Sequence, residues 1–239
     1  VIRAVFFDAG ATLLHADPPV EEVYVREFTR DGVRATPERF REALVATWRE
    51  IREKRLSNRY GGVSGESGFW EMFVNRARHH LDGQAISEEC FGRLVRHFRR
   101  PDAWRVYPDA GPALDALGRR GYELGVISNW DSSLASLLEA HELAGRFRAV
   151  LISAVEETGK PGREIFERAC ARLRVSAQEA IHVGDSLEED FEAARNAGLR
   201  AVLLDRENRH PEIPDRVGTL EDLPGLLGDT SGIARAGAR

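Results

Sequence analysis

Four short stretches of the chain carry side chains that could do chemistry together. FFDAGATLLH (6–15) holds Asp8, Gly10, Thr12 and His15, and VISNWD (126–131) holds Ser128 and Asn129. ETGKPGREIF (157–166) holds Lys160, and HVGDSLEED (182–190) holds Asp185, Glu188, Glu189 and Asp190. Carboxylates at Asp8 and Asp185, if brought to neighbouring strand ends, repel each other unless a divalent cation lies between them. An all-oxygen site of this kind favours Mg²⁺, which pairs readily with phosphate oxygens. Ser128, the amide groups near Asn129 and the Lys160 ammonium could then hold the remaining oxygens and neutralise the charge of a transferring group. Singly, each piece has a plainer reading. A strand-end aspartate commonly caps a helix, as does a hydroxyl–amide pair, and a lysine before proline commonly sits in a solvated loop.

What would gather the four stretches is a parallel sheet. Continuous apolar runs at 2–7, 123–128, 149–153, 180–184 and 200–204 predict strands buried on both faces. Amphipathic patterns at 109–120, 131–141, 162–173 and 188–197 predict the helices between them. This alternation implies right-handed βαβ units, hence an α/β fold built on a Rossmann-like doubly wound parallel sheet. Ligands of such sheets bind at the carboxyl ends of the strands, where all four stretches fall. The region after the first strand departs from the alternation. No second strand is expected for over a hundred residues; instead helical patterns run at about 19–31, 37–56, 66–82 and 87–98. The division expected is a core from 1–15 and 101–227, a helical cap inserted at 16–100, and an aperiodic, frayed tail at 228–239.

A net charge of −5 gives no global drive toward nucleic acid or a membrane surface. No apolar run approaches the roughly 20 residues that cross a bilayer, and the chain opens on its first strand without a visible export signal. Cys90 and Cys170 have no closely spaced Cys or His partner, so buried thiols in a reducing cytoplasm are expected. Monomer and homodimer both remain open. Residues 15–100 carry 16 Arg and Lys against 14 Asp and Glu, a slightly basic lid over an acidic core that suits a small anionic substrate.

In their order, FFDAGATLL, VISNWD, GKPGREIF and HVGDSLEED resemble the four motifs of the haloacid dehalogenase-like hydrolase superfamily, subfamily I with a C1-type helical cap. The resemblance implies a Mg²⁺-dependent hydrolase, here a phosphatase of a small phosphorylated metabolite. It makes Asp8 the nucleophile of an aspartyl intermediate. Thr12, Ser128 and Asn129 would position substrate oxygens, and Lys160 would stabilise Asp8. Asp185 would bind the metal, as would the backbone carbonyl of Gly10. Asp190 would act through water or orient Lys160, with Glu189 a weaker substitute.

One position departs from that pattern. Phosphatases of the superfamily carry a second aspartate two residues after the nucleophile, where this chain has Gly10. Losing that proton transfer costs roughly 10²–10⁴-fold, most for alkoxide leaving groups and less for acyl or aryl phosphates. His15 could stand in as donor. Alternatives are a 2-haloacid dehalogenase, against which Asp185 and Asp190 argue, and a phosphonate-cleaving enzyme with Lys54 as its amine, although Lys54 also reads as one charge on a solvated face. A weakened metabolite- or partner-binding protein is the non-enzymatic reading. In the loop SNRYGGVSGESG (57–68), Arg59 and Tyr60 are candidate substrate contacts, with an exposed connector as the plainer reading.

Overall fold

The computed structural model describes residues 1–53, 65–82 and 84–227 of the chain. The predicted tail at 228–239, Lys54, Arg59 and Tyr60 lie outside the described residues. The strands are β1 (Ala4–Phe7), β2 (Leu14–Ala16), β3 (Trp104–Val106), β4 (Glu123–Ser128), β5 (Ala149–Ile152), β6 (Ala180–Gly184), β7 (Arg200–Leu204) and β8 (Arg216–Val217). The helices are α1 (Val20–Arg30), α2 (Pro37–Glu53), α3 (Glu66–Asp82), α4 (Glu88–Phe98), α5 (Ala110–Arg119), α6 (Leu134–Ala140), α7 (Ser153–Glu156), α8 (Arg163–Leu173), α9 (Ala193–Asn196) and α10 (Leu223–Leu227). No helix among the described residues is long and apolar enough to cross a membrane.

A six-stranded parallel sheet forms in the order β5-β4-β1-β6-β7-β8. The chain runs outward from β1 through β4 and β5, then returns to β6 on the other side of β1. That reversal opens a crevice at the carboxyl ends of the central strands. Register decides what meets there. Phe7 pairs with both Val126 and Val183, so Asp8, Ser128 and Asp185 emerge within a residue of the same level.

The sheet is buried on both faces, and alternate residues of β1 serve opposite cores. Val5 and Phe7 join Val126, Ile181 and Val183 on one side, continuous with Leu114 of α5 and Phe28 of α1. Ala4 and Phe6 join Ile127, Leu151 and Phe166 on the other. Phe6 is fully buried, and truncating it to Ala would cost about 3–5 kcal/mol. Its ring fits because the facing position is Gly125; a Cβ there would lie 2.7 Å from Phe6 Cδ1.

Helices α1–α4 pack together through aromatic rings. Tyr24 stacks on Phe40 at 4.8 Å, and Phe28 meets Phe40 edge-on at 5.6 Å. Ser87 caps α4 by accepting from Cys90 N, and Arg78 bonds Asp31 at 2.7 Å to tie α3 to the end of α1.

The expectation of no strand in this region requires correction. β2 and β3 pair antiparallel, Leu14 with Val106, His15 with Arg105 and Ala16 with Trp104, where the chain leaves the sheet region and returns. Three residues are too few to show a period, and the pairing partner lies some ninety residues away, so no local pattern announces it. The expected helix at 188–197 is also altered. Residues Leu187–Glu192 form a π-helical turn before α9, with Phe191 N donating to Ser186 O. Both cysteines are buried and unbridged.

Candidate active site

Asp8 follows β1 directly, its backbone N–H donating to Val183 O at 2.9 Å. The next turn folds back: Leu13 and Leu14 N–H both donate to Ala9 O, and Ala11 adopts a left-handed φ of 54°. Such a φ is uncommon for a residue with a side chain. The turn directs Thr12 inward, where its Oγ1 lies 3.5 Å from Asp185 Oδ1.

The Lys160 ammonium lies between two carboxylates. It donates to Asp8 Oδ1 at 2.7 Å and, at short range, to Asp190 Oδ1. All three side chains are buried. Burial alone would push the lysine toward neutrality, but the charges of Asp190 and Asp8 outweigh it and hold its pKa above the ordinary range. Asp190 is the most saturated carboxylate. Its Oδ1 also faces His182 Nε2 at 2.9 Å, and its Oδ2 accepts from Ser186 N at 3.0 Å. Burial would raise Asp190, yet Lys160 and the His182 hydrogen bond hold it well below the usual carboxylate value. The close approach depends on Gly184, where a Cβ would fall 2.2 Å from Asp190 Cγ.

The other two acids show the opposite behaviour. Burial raises Asp8 against the pull of Lys160. Asp185, half-buried at the rim, is pushed up to about 8, first by burial and then by the charges of Asp190 and Asp8. One ammonium does not balance three carboxylates, and the excess negative charge is what a cation would relieve.

Carboxylate oxygens of Asp8, Asp185 and Asp190 lie within 4.8 Å of one another. An all-oxygen set carrying unrelieved charge fits Mg²⁺. Because Asp190 is occupied by Lys160, His182 and Ser186, the acids left to hold the ion directly are Asp8 and Asp185.

Ser128 is buried at the end of β4, where its hydroxyl counters the rise of the Asp8 pKa. Asn129 holds the loop that carries Lys160. Its amide grips the Lys160 backbone, Nδ2 donating to Lys160 O and Oδ1 accepting from Lys160 N, both at 2.8 Å. Nδ2 also donates to Glu189 Oε2 at 3.1 Å, so Glu189 meets Asn129. Gly159 makes room for this clasp, since a Cβ there would lie 2.5 Å from Asn129 Oδ1. His15 packs against Tyr107 with the rings tilted by 51° and their centroids 4.8 Å apart, and its Nδ1 lies 3.2 Å from Ala16 O.

Two contributors escaped the sequence reading. His182, inside β6, reads as a strand residue until the fold aims it at Asp190. Trp130 follows Asn129 directly, and its significance lies in a contact across the crevice: a Cβ on Gly10 would sit 3.1 Å from Trp130 Cζ3. The indole crowds the side of Gly10 from which a side chain would project.

Residues 2–198 match the family described as haloacid dehalogenase-like hydrolase. The chain belongs to the haloacid dehalogenase-like hydrolases. Among similar members, the haloacid dehalogenase-like hydrolase domain-containing protein 3 of Danio rerio is 28% identical over 235 residues, covering 95% of this chain and 96% of the relative. A phosphoserine phosphatase of Thermus thermophilus is 37% identical over 245 residues, covering 93% and 98%. Among solved structures, a haloacid dehalogenase-family phosphatase from Thermococcus onnurineus superposes with a TM-score of 0.67 at 27% identity, covering 95% of this chain and 99% of the other. In this haloacid dehalogenase-like hydrolase, Gly10 lies two residues beyond Asp8 and beside Trp130.

Proposed function

We propose that the protein is a Mg²⁺-dependent phosphatase of a small phosphorylated metabolite, acting through an aspartyl-phosphate on Asp8. The observation that supports this reading most is the Lys160 ammonium set between Asp8 and Asp190, with Asp185 within metal-sharing distance. The Asp8 carboxylate attacks phosphorus as the bond to the leaving oxygen breaks, and the leaving group departs with the electron pair. Water then attacks the aspartyl-phosphate, releasing phosphate and restoring Asp8. Lys160 remains charged throughout and offsets the negative charge around the nucleophile, while Asp190 and the Asn129 clasp keep it aimed. Ser128, buried at the end of β4, and Thr12 are placed to meet phosphoryl oxygens. When bound, Mg²⁺ held by Asp8, Asp185 and the Gly10 carbonyl would supply charge neutralisation at the phosphoryl oxygens. Helices α1–α4 form the cap that excludes water during attack. The relatives described as phosphatases supply the reaction class.

The test is phosphate release from acetyl phosphate, whose leaving group needs no acid. We expect release with Mg²⁺, none with EDTA, and a fall of about 10⁴-fold in Asp8→Asn. Halide release from 2-chloropropionate that is indifferent to EDTA would replace this reading with the dehalogenase one.

A further inference from the structure

The geometry points to an aryl phosphate monoester as the substrate, its aromatic ring held in the cavity between helices α1–α4 and the strand ends. This rests on the phosphatase reading and adds the identity of the leaving group. The cavity has a volume of about 250 Å³; an apolar cavity of about 150 Å³ already accepts benzene. Its described walls are mostly aromatic and aliphatic, and all four tryptophans of the chain, Trp48, Trp70, Trp104 and Trp130, lie on it.

Asp8, Asp185 and Asp190 do not line the cavity; it reaches their neighbourhood through the segment that follows β4. Asn129, Trp130 and Asp131 contribute its wall on the strand-end side. Asn129 is the residue that clasps Lys160, and Trp130 is the residue packed toward Gly10. Through Trp130 the aromatic wall reaches the Gly10 side of the turn that follows Asp8.

The second observation is chemical. Gly10 has no side chain with which to protonate the leaving oxygen, and Trp130 crowds the space such a side chain would use. A phenolic oxygen tolerates this, because phenols ionise near pH 10 as tyrosine does, far below the roughly 15.7 of water. An alkoxide does not. Apolar lining and missing acid thus select the same leaving group by separate arguments. The charged residues on its described wall are Arg99 and Asp131, and Asp131 accepts from Ser133 N at 2.8 Å.

Tryptophan fluorescence reads occupancy without metal or turnover. Titrating the full chain with 4-nitrophenol should give saturable quenching. In Mg²⁺, phenyl phosphate should show a kcat/KM about 10–200-fold above that of phosphoserine. Leu44→Phe and Val95→Phe, each filling the cavity from a different helix, should raise KM for phenyl phosphate about tenfold with a smaller change in kcat. Two variants and the wild-type titration keep the test open if one substitution prevents folding. Saturable quenching without phosphate release from any substrate supports the cavity assignment while sinking the phosphatase reading. Phosphate release without saturable quenching overturns the assignment and leaves that reading standing. So does a preference for phosphoserine, or for phosphocholine, whose quaternary ammonium an aromatic box could hold.

Discussion

Lys160 is positioned by a chain of contacts running from Asp8 through Asp190 to His182. Burial lowers the pKa of His182, so its neutral ring donates from Nε2 to the ionised Asp190, while Nδ1 has no hydrogen-bond partner. The imidazole thereby fixes the carboxylate that fixes the lysine. Gly10 is the counterpart: under the phosphatase reading it is the position that offers the leaving group no acid. Restoring the acid there is not a matter of substitution alone. Gly10→Asp must place its Cβ against Trp130 at 3.1 Å, and we expect no gain in phosphoserine turnover from that change by itself. Combined with Trp130→Ala, which vacates the space, the same aspartate should raise kcat on phosphoserine by about 10²-fold, the usual contribution of a general acid. Steady-state kinetics on both single variants and the double variant check this. Equal gains with and without Trp130 would show that the indole is no obstacle.

At the scale of the elements, Glu27 shows how the helices around the cavity are tied. It is buried on α1, where it accepts from Arg26 and Arg30 on its own helix and from Arg93 of α4 at 2.7 Å. α4 carries Phe91, Leu94 and Phe98 on the cavity wall, so this contact helps position that wall. Burial would raise the Glu27 pKa, but hydrogen bonds from Arg93, Arg26 and Arg30 prevail and lower it. A carboxylate depressed on folding contributes stability that is present above its unfolded value and lost as pH falls through the folded one. Glu27→Gln should therefore destabilise the protein at neutral pH by about 1–3 kcal/mol. The gap from wild type should narrow once the pH passes below the ordinary glutamate value of 4.5. Urea unfolding at the two pH values measures it, and a gap independent of pH would assign the loss to packing.

Over the whole molecule, charge left unrelieved at one point should be felt in global stability. A cation bound by Asp8 and Asp185 binds the folded chain and not the unfolded one. Mg²⁺ at a hundredfold excess over its Kd should stabilise the fold by about 2.7 kcal/mol, a rise of roughly 5–10 °C in Tm for a chain of this size. EDTA should reverse the rise and Asp185→Asn should abolish it, both readable by thermal unfolding without substrate. The sequence by itself determined five of the six strands of the parallel sheet, the helices that flank it and the strand ends at which chemistry-bearing residues sit. Those signals are local: apolar runs, helical periods and turn residues act over a few positions. It did not determine β2 and β3, whose three-residue ladder joins segments some ninety residues apart. Nor could it show that Asn129 holds the Lys160 backbone, that His182 supports Asp190, or that Trp130 closes over Gly10. The Asn129 and Trp130 contacts join loops that follow different strands and that register brings level, and the His182 contact needs the π-helical turn after β6 to fold back on its own strand. The missing side chain at Gly10 was legible from the sequence alone; the indole crowding its place and the aromatic cavity beside it were decided by packing across the crevice, where distance along the chain carries no information.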